Sequence, residues 1–172
     1  MNLNELTCDK FVSICNNQSG TIKKHFDVHF AKNRTNTDRE TKIFNAFKNL
    51  SLTSCTSYFQ YDVTAHKNII PKSFYNFYNL DISLVQIKIN KTLPGNFMIP
   101  HCDEYSKYDG KSITPTRLWI SLTDEKFGHL LVIESECLYH VPKGFCKKIN
   151  KKDLHFSVNL GYEDRYILLL TG

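Results

Sequence analysis

The sequence predicts a mainly β fold with its helices confined to the N-terminal half, and three observations carry that prediction. From residue 82 onward, short apolar stretches with the two-residue period of strands recur. Glycine and proline turns separate them at short intervals: Pro94-Gly95, Asp109-Gly110, Gly128, Pro142 with Gly144, and Gly161. Before residue 80, by contrast, two stretches carry apolar residues at helical spacing.

The elements follow in order. Residues 3–16 predict a short helix with Leu3, Leu6, Phe11, Val12 and Cys15 as its apolar residues. In 22–31, Phe26, Val28 and Phe30 alternate with His25, Asp27 and His29, the period of a half-buried strand that turns its histidines to solvent. Thr37 and Glu40 have the spacing of a capping box, and Ile43, Phe44, Phe47 and Leu50 continue a helix behind it. Residues 54–63 read as a strand, and the aromatic stretch 74–78 fits either class. Strands are then expected near 82–90, 96–104, 116–123, 129–134, 137–141, 145–150, 154–159 and 164–170. Eight such strands predict a closed or two-sheet β body of jelly-roll or cupin kind, a double-stranded β-helix core. At 172 residues the chain is expected to be a single domain, in which 1–80 support a β core spanning 81–172.

Composition narrows the class further. The chain is 41% hydrophobic and 23% charged, as globular proteins are. No apolar run reaches the roughly 18–20 residues of a membrane helix, and the N-terminus lacks the basic start and apolar stretch of a secretory signal. A cytoplasmic protein without a membrane partner is the expectation. The six cysteines form no C-x2-C pair, which points to reduced thiols packed as small hydrophobes. The net charge of +5 is densest at Lys143, Lys147, Lys148, Lys151 and Lys152. Such a cluster is either a solvated hairpin or an attraction for an acidic partner, nucleic acid included, and charge alone does not choose.

The chemistry-bearing pattern is a pair of spacings. Two histidines and a carboxylate on one face of an iron(II) ion leave its other positions open. Residues i and i+2 of a strand point to one side, so His101 and Asp103 can enter one cavity. His155, on the penultimate expected strand, supplies the second imidazole. His-x-Asp alone is a weak signal, and His25 with Asp27 repeats it ahead of the β body. What singles out the later copy is Arg165, ten residues beyond His155 on the next strand, a planar two-donor fork suited to a carboxylate.

Residues 82–172 resemble the iron(II)/2-oxoglutarate-dependent oxygenase family, particularly its compact prolyl-hydroxylase-like and marine-phage-type members. The resemblance is carried by 84–88, by Pro94-Gly95 leading to Pro100 through Asp103, by 116–124, by 128–130, and by Leu154-His155 with Asn159 through Gly172. It implies that His101, Asp103 and His155 hold Fe(II), and that 2-oxoglutarate places its far carboxylate on Arg165. O2 is then the oxidant, succinate and CO2 are released, and the substrate is hydroxylated. Asp103 implies hydroxylation rather than halogenation, because halogenating relatives replace that carboxylate with a small residue. The chain departs from the family where Phe145 follows Gly144 in place of aspartate, at Asn90, Lys91 and Thr92 where prolyl hydroxylases carry a tyrosine, and at Ile167 where some relatives carry serine. These departures weaken the implication of proline as the substrate and leave His101, Asp103 and His155 untouched.

Substrate contacts are expected from Tyr105, Arg117 and Trp119, with a core anchor as the alternative role for Trp119. A lid over the mouth of the site is expected from residues 104–115 or from the N-terminal half, and none is expected after Arg165. The substrate itself stays open among small metabolite, amino acid, peptide and nucleobase. Two competing readings are a cupin-like metalloenzyme that does not use 2-oxoglutarate and a non-catalytic jelly-roll binding module.

Overall fold

A computed structural model describes residues 1–25, 27, 37–103 and 115–172. The N-terminal elements are α1 (Glu5–Asn16), β1 (Thr21–Lys24), α2 (Asp38–Asn49), β2 (Ser57–Asp62) and α3 (Lys72–Phe77). Eight strands follow: β3 (Gln86–Thr92), β4 (Asn96–Phe97), β5 (Arg117–Ser121), β6 (His129–Ile133), β7 (Glu136–Tyr139), β8 (Cys146–Ile149), β9 (His155–Asn159) and β10 (Arg165–Thr171). One sheet runs β1-β2-β3-β10-β5-β8 and the other β4-β9-β6-β7, with every pairing antiparallel. From β3 onward, consecutive strands alternate between the sheets or turn back within one, so the chain winds around a common interior. The fold is a double-stranded β-helix.

Side-chain alternation sorts the apolar residues onto two sides of the larger sheet. Ile87, Ile89, Leu118, Ile120, Leu168 and Leu170 face outward, where Leu3, Cys8 and Phe11 of the N-terminal segment and Phe74 and Tyr75 of α3 cover them. Trp119, Ile167 and Leu169 face inward and meet Leu131 and Ile133 of the smaller sheet. β10 is therefore buried on both faces, which its unbroken apolar run Ile167 to Leu170 reflects. Each such fully buried side chain contributes roughly 1.5–3 kcal/mol.

The N-terminal half shows where local spacing and tertiary packing part. In α1, Asn4 caps the first turn by accepting from the Thr7 amide, and Cys8 is buried while Leu6 stays exposed. In α2 the capping box forms as expected, yet only Phe44 of the four apolar residues is fully buried, and Leu50 lies at the exposed end. The expected strand over 22–31 is corrected. β1 pairs with β2 only through Lys24, and His25 is already helical. Phe26, Val28, His29 and Phe30 lie outside the described residues. Residues 82–84 belong to a turn rather than to β3, because the Asp81 carboxylate accepts from the Ser83 amide and hydroxyl and the Asp81 carbonyl from the Leu84 amide. The 74–78 stretch, open between classes in the sequence, is helical through Phe77.

Among the described residues the six cysteines form no disulfide. Burial pushes the thiols of Cys8 and Cys15 up, to about 11 and about 12, so both behave as core residues. In the lysine cluster, Lys143 pairs with Asp9 at 2.8 Å and Lys147 pairs with Glu136. Among the described residues no helix is long and apolar enough to cross a membrane.

Gly144 joins the N-terminal segment to the β core. Its carbonyl accepts from the Leu3 amide at 2.8 Å, its φ is +82°, and a Cβ there would stand 1.8 Å from the Leu3 carbonyl oxygen. Gly144→Ala should therefore destabilise the protein by at least about 1 kcal/mol, read as a lower urea midpoint at unchanged slope. An unchanged midpoint would show that the N-terminal segment does not dock on this turn.

Candidate metal centre

The ligand strands meet through backbone first. The His101 amide donates to the His155 carbonyl at 3.0 Å and the His155 amide to the His101 carbonyl at 2.9 Å, an isolated antiparallel bridge between the segment after β4 and the start of β9. That bridge sets the two imidazoles side by side, with centroids 4.3 Å apart. Asp103, two residues on, turns its carboxylate to the same side.

Hydrogen bonds then fix which nitrogen each ring offers. His101 Nδ1 lies 2.8 Å from the Ile99 carbonyl and His155 Nδ1 lies 3.0 Å from the Asp153 carbonyl. A carbonyl only accepts, so each Nδ1 carries a hydrogen, and in the neutral imidazole Nε2 is then the nitrogen with the lone pair. The lone-pair nitrogens converge on Asp103, with Nε2 of His101 3.9 Å from Oδ1 and Nε2 of His155 3.7 Å from Oδ2. The three side chains are buried, and one donor atom from each lies within 4.8 Å of the others. Two donors bound to one ion at about 2.1 Å stand at most about 4.2 Å apart, and the His101 Nε2–Oδ1 and His155 Nε2–Oδ2 separations both lie within that span. The three side chains could together hold a metal ion.

Around the donors stands a second layer that spacing alone did not reveal. Arg117 Nη1, expected as a substrate contact, donates to Oδ1 of the candidate ligand Asp103 at 3.0 Å. Glu40 of α2 uses one oxygen, Oε2, to close the capping box on the Thr37 amide and hydroxyl. Its other oxygen, Oε1, accepts at 2.9 Å from the amide of Cys102, the residue between the two ligands. The capping-box spacing marked the helix start; nothing local marked this further contact.

His25 is the plainest correction. Expected at the surface, it is 3% exposed, and its ring lies edge-on to His101 with centroids 4.5 Å apart. The strand period that aimed it at solvent ends at Lys24. Its Nδ1 accepts from the Ile99 amide at 3.2 Å, which ties the chain after β1 to the segment bearing the ligands.

Trp119 is walled into the interior cluster at 2% exposure, the position of a core anchor. Tyr105 and most of the expected cover, 104–114, lie outside the described residues. Arg165 sits at the start of β10 and points into the barrel, fully buried beneath the Trp119 ring at 5.3 Å. Its fork is already engaged. Nε donates to Glu125 Oε1 at 2.9 Å, Nη2 donates to the same oxygen, and Nη1 donates to the Leu130 carbonyl at 2.9 Å. Burial lowers the guanidinium pKa, and the Glu125 charge works against that. Glu125 was not among the residues expected at the site, because in sequence it belongs to a charged turn ahead of Gly128.

No family model matches the chain, and no curated protein matches it in sequence. Solved structures resembling it include a predicted oxalate decarboxylase from Thermotoga maritima, 13% identical over 67% of this chain and 79% of that one, with a TM-score of 0.43. KdgF from a Halomonas species is 12% identical over 66% and 77%, with a TM-score of 0.42. A cupin 2 conserved barrel domain protein from Salinispora arenicola is 12% identical over 66% and 74%, with a TM-score of 0.41. Likeness at this level says nothing of activity, and the fold rests on the strand order itself.

Removing the Glu40 carboxylate should loosen the ligand loop. Glu40→Ala is expected to weaken cobalt(II) binding roughly 10–100-fold by calorimetric titration, while Thr37→Val, which removes only the cap, changes it little. Equal losses in both variants would assign the effect to helix capping instead.

Proposed function

We propose that this chain is an iron(II)- and 2-oxoglutarate-dependent oxygenase that hydroxylates a small metabolite, amino acid, peptide or nucleobase. The observation that carries the metal half is the convergence of two Nε2 lone pairs on Asp103 inside a double-stranded β-helix. Iron(II) bound there would supply the activation of O2 that no side chain supplies. The residues of the chain do the rest. The Ile99 and Asp153 carbonyls hold both imidazoles in the ligating tautomer. Arg117 fixes the Asp103 carboxylate. Trp119, Leu131, Ile133 and Leu169 keep the interior apolar and water-poor.

The co-substrate half is supported by the resemblance of the C-terminal segment. The fork of Arg165 does not fit a second carboxylate as it stands, because Glu125 holds it. That pair favours a second reading, a metalloenzyme of the same fold and triad that works without 2-oxoglutarate.

One anaerobic titration separates the two. Protein with iron(II) and 2-oxoglutarate should develop a weak visible charge-transfer band and, once in air, form succinate. Asp103→Ala should abolish the band and weaken metal binding by more than about 100-fold. Iron binding without the band or succinate would select the second reading. Failure of the wild type to bind iron would sink both.

A further inference from the structure

Glu125 and Arg165 form the most deeply buried ion pair among the described residues, with side-chain exposures of 0% and 1%. The pair is lopsided. Both Nε and Nη2 of Arg165 donate to Oε1 of Glu125, rather than one to each oxygen as in a matched fork. The other oxygen, Oε2, is buried with no hydrogen-bond partner among the described residues. The Trp119 indole nitrogen, whose ring lies over the guanidinium, is likewise buried without an acceptor. Such orphaned polar atoms are costly in an interior, and here they flank a cation whose chemistry is anion binding.

Glu125 is carried by a turn outside the strands. That turn is held in place: the Glu125 amide donates to the Val141 carbonyl at 3.0 Å, and Asp124 next to it accepts from the Lys143 amide at 2.9 Å. The carboxylate is thus delivered to Arg165 by fixed backbone. A ligand carboxylate seeking the same fork would meet a second anion within a few ångströms, in surroundings that screen poorly.

We infer that Glu125 is the resident anion of the Arg165 site and sets what the deep end of the barrel admits: neutral polar groups while it is present, carboxylates once its charge is removed. It depends on neither iron nor oxygen, and under it 2-oxoglutarate could not place its far carboxylate on Arg165, as the second reading of the site has it. It concerns which ligands the buried arginine can take.

The test uses metal-free full-length protein and succinate, a dicarboxylate with no keto group to chelate a metal. Thermal-shift titrations compare the wild type, Glu125→Gln and the double variant Glu125→Gln with Arg165→Met. Glu125→Gln should melt below the wild type and recover as succinate is added, while the wild type and the double variant do not respond. The apparent succinate affinity of Glu125→Gln should exceed that of the wild type on the order of 100-fold. That is the size of the repulsion between two carboxylates about 5 Å apart at an effective dielectric near 20. Succinamide, neutral and of similar shape, should rescue nothing. If Glu125→Gln does not fold unaided, its yield on refolding in succinate against succinamide reads the same property. Equal response of Glu125→Gln and the wild type to succinate, or equal rescue by succinamide, overturns the inference. A wild type that binds no iron would refute the proposed activity and leave this result untouched.

Discussion

Strand β10 hydrogen-bonds to β3 along Arg165–Thr171 and to β5 from Ile167 onward, and its side chains are buried on both faces. Tyr166, Leu168 and Leu170 meet the outer core beneath α1 and α3, while Ile167 and Leu169 meet the interior cluster. A strand so placed tolerates no slip in register, since a shift by one residue would exchange its two faces. It would also bring Arg165 out of the barrel and press Tyr166 into it. The position of the buried cation is therefore fixed by the same pairing that builds the larger sheet.

The metal centre depends on a smaller constraint of the same kind. The backbone bridge between His101 and His155 joins segments 54 residues apart, and each ring's Nδ1 is then occupied by a nearby carbonyl. Backbone thus decides both where the imidazoles stand and which nitrogen faces inward. What comes from outside the β-helix only steadies this arrangement: His25 packs against His101, and Glu40 takes the Cys102 amide. The N-terminal half, which carries no recognisable motif, thereby has a stake in the site.

How far the sequence could foretell this follows from the range of each signal. The strands from β5 to β10 were legible because alternation and turn residues are local, and so was the start of α2, where Thr37 and Glu40 are three residues apart. The meeting of His101, Asp103 and His155 was legible because a spacing of two plus a strand far downstream matches a known ligand recipe. His25 was misread since its strand stops one residue earlier, at Lys24, after which the alternation no longer tells inside from outside. Glu125 carries no local mark at all. It meets Arg165 across 40 residues, from a turn whose composition is that of any solvated loop.

A buried ion pair is weak evidence for stability, because the cost of drying two charges rivals their attraction. A well-packed apolar pair at these positions would serve the core as well or better. The pairing of Glu125 with Arg165, with one carboxylate oxygen unpaired among the described residues, is therefore better understood through what the pair does to the interior. It keeps a guanidinium inside the barrel while cancelling the net charge that would draw in an anion. The two charged groups of the interior are thereby assigned different tasks. The triad, with Arg117 beside it, could hold a metal ion. Arg165 is already matched by Glu125, and on the inference drawn above selectivity at the far end of the barrel would rest on shape and hydrogen bonding rather than on charge.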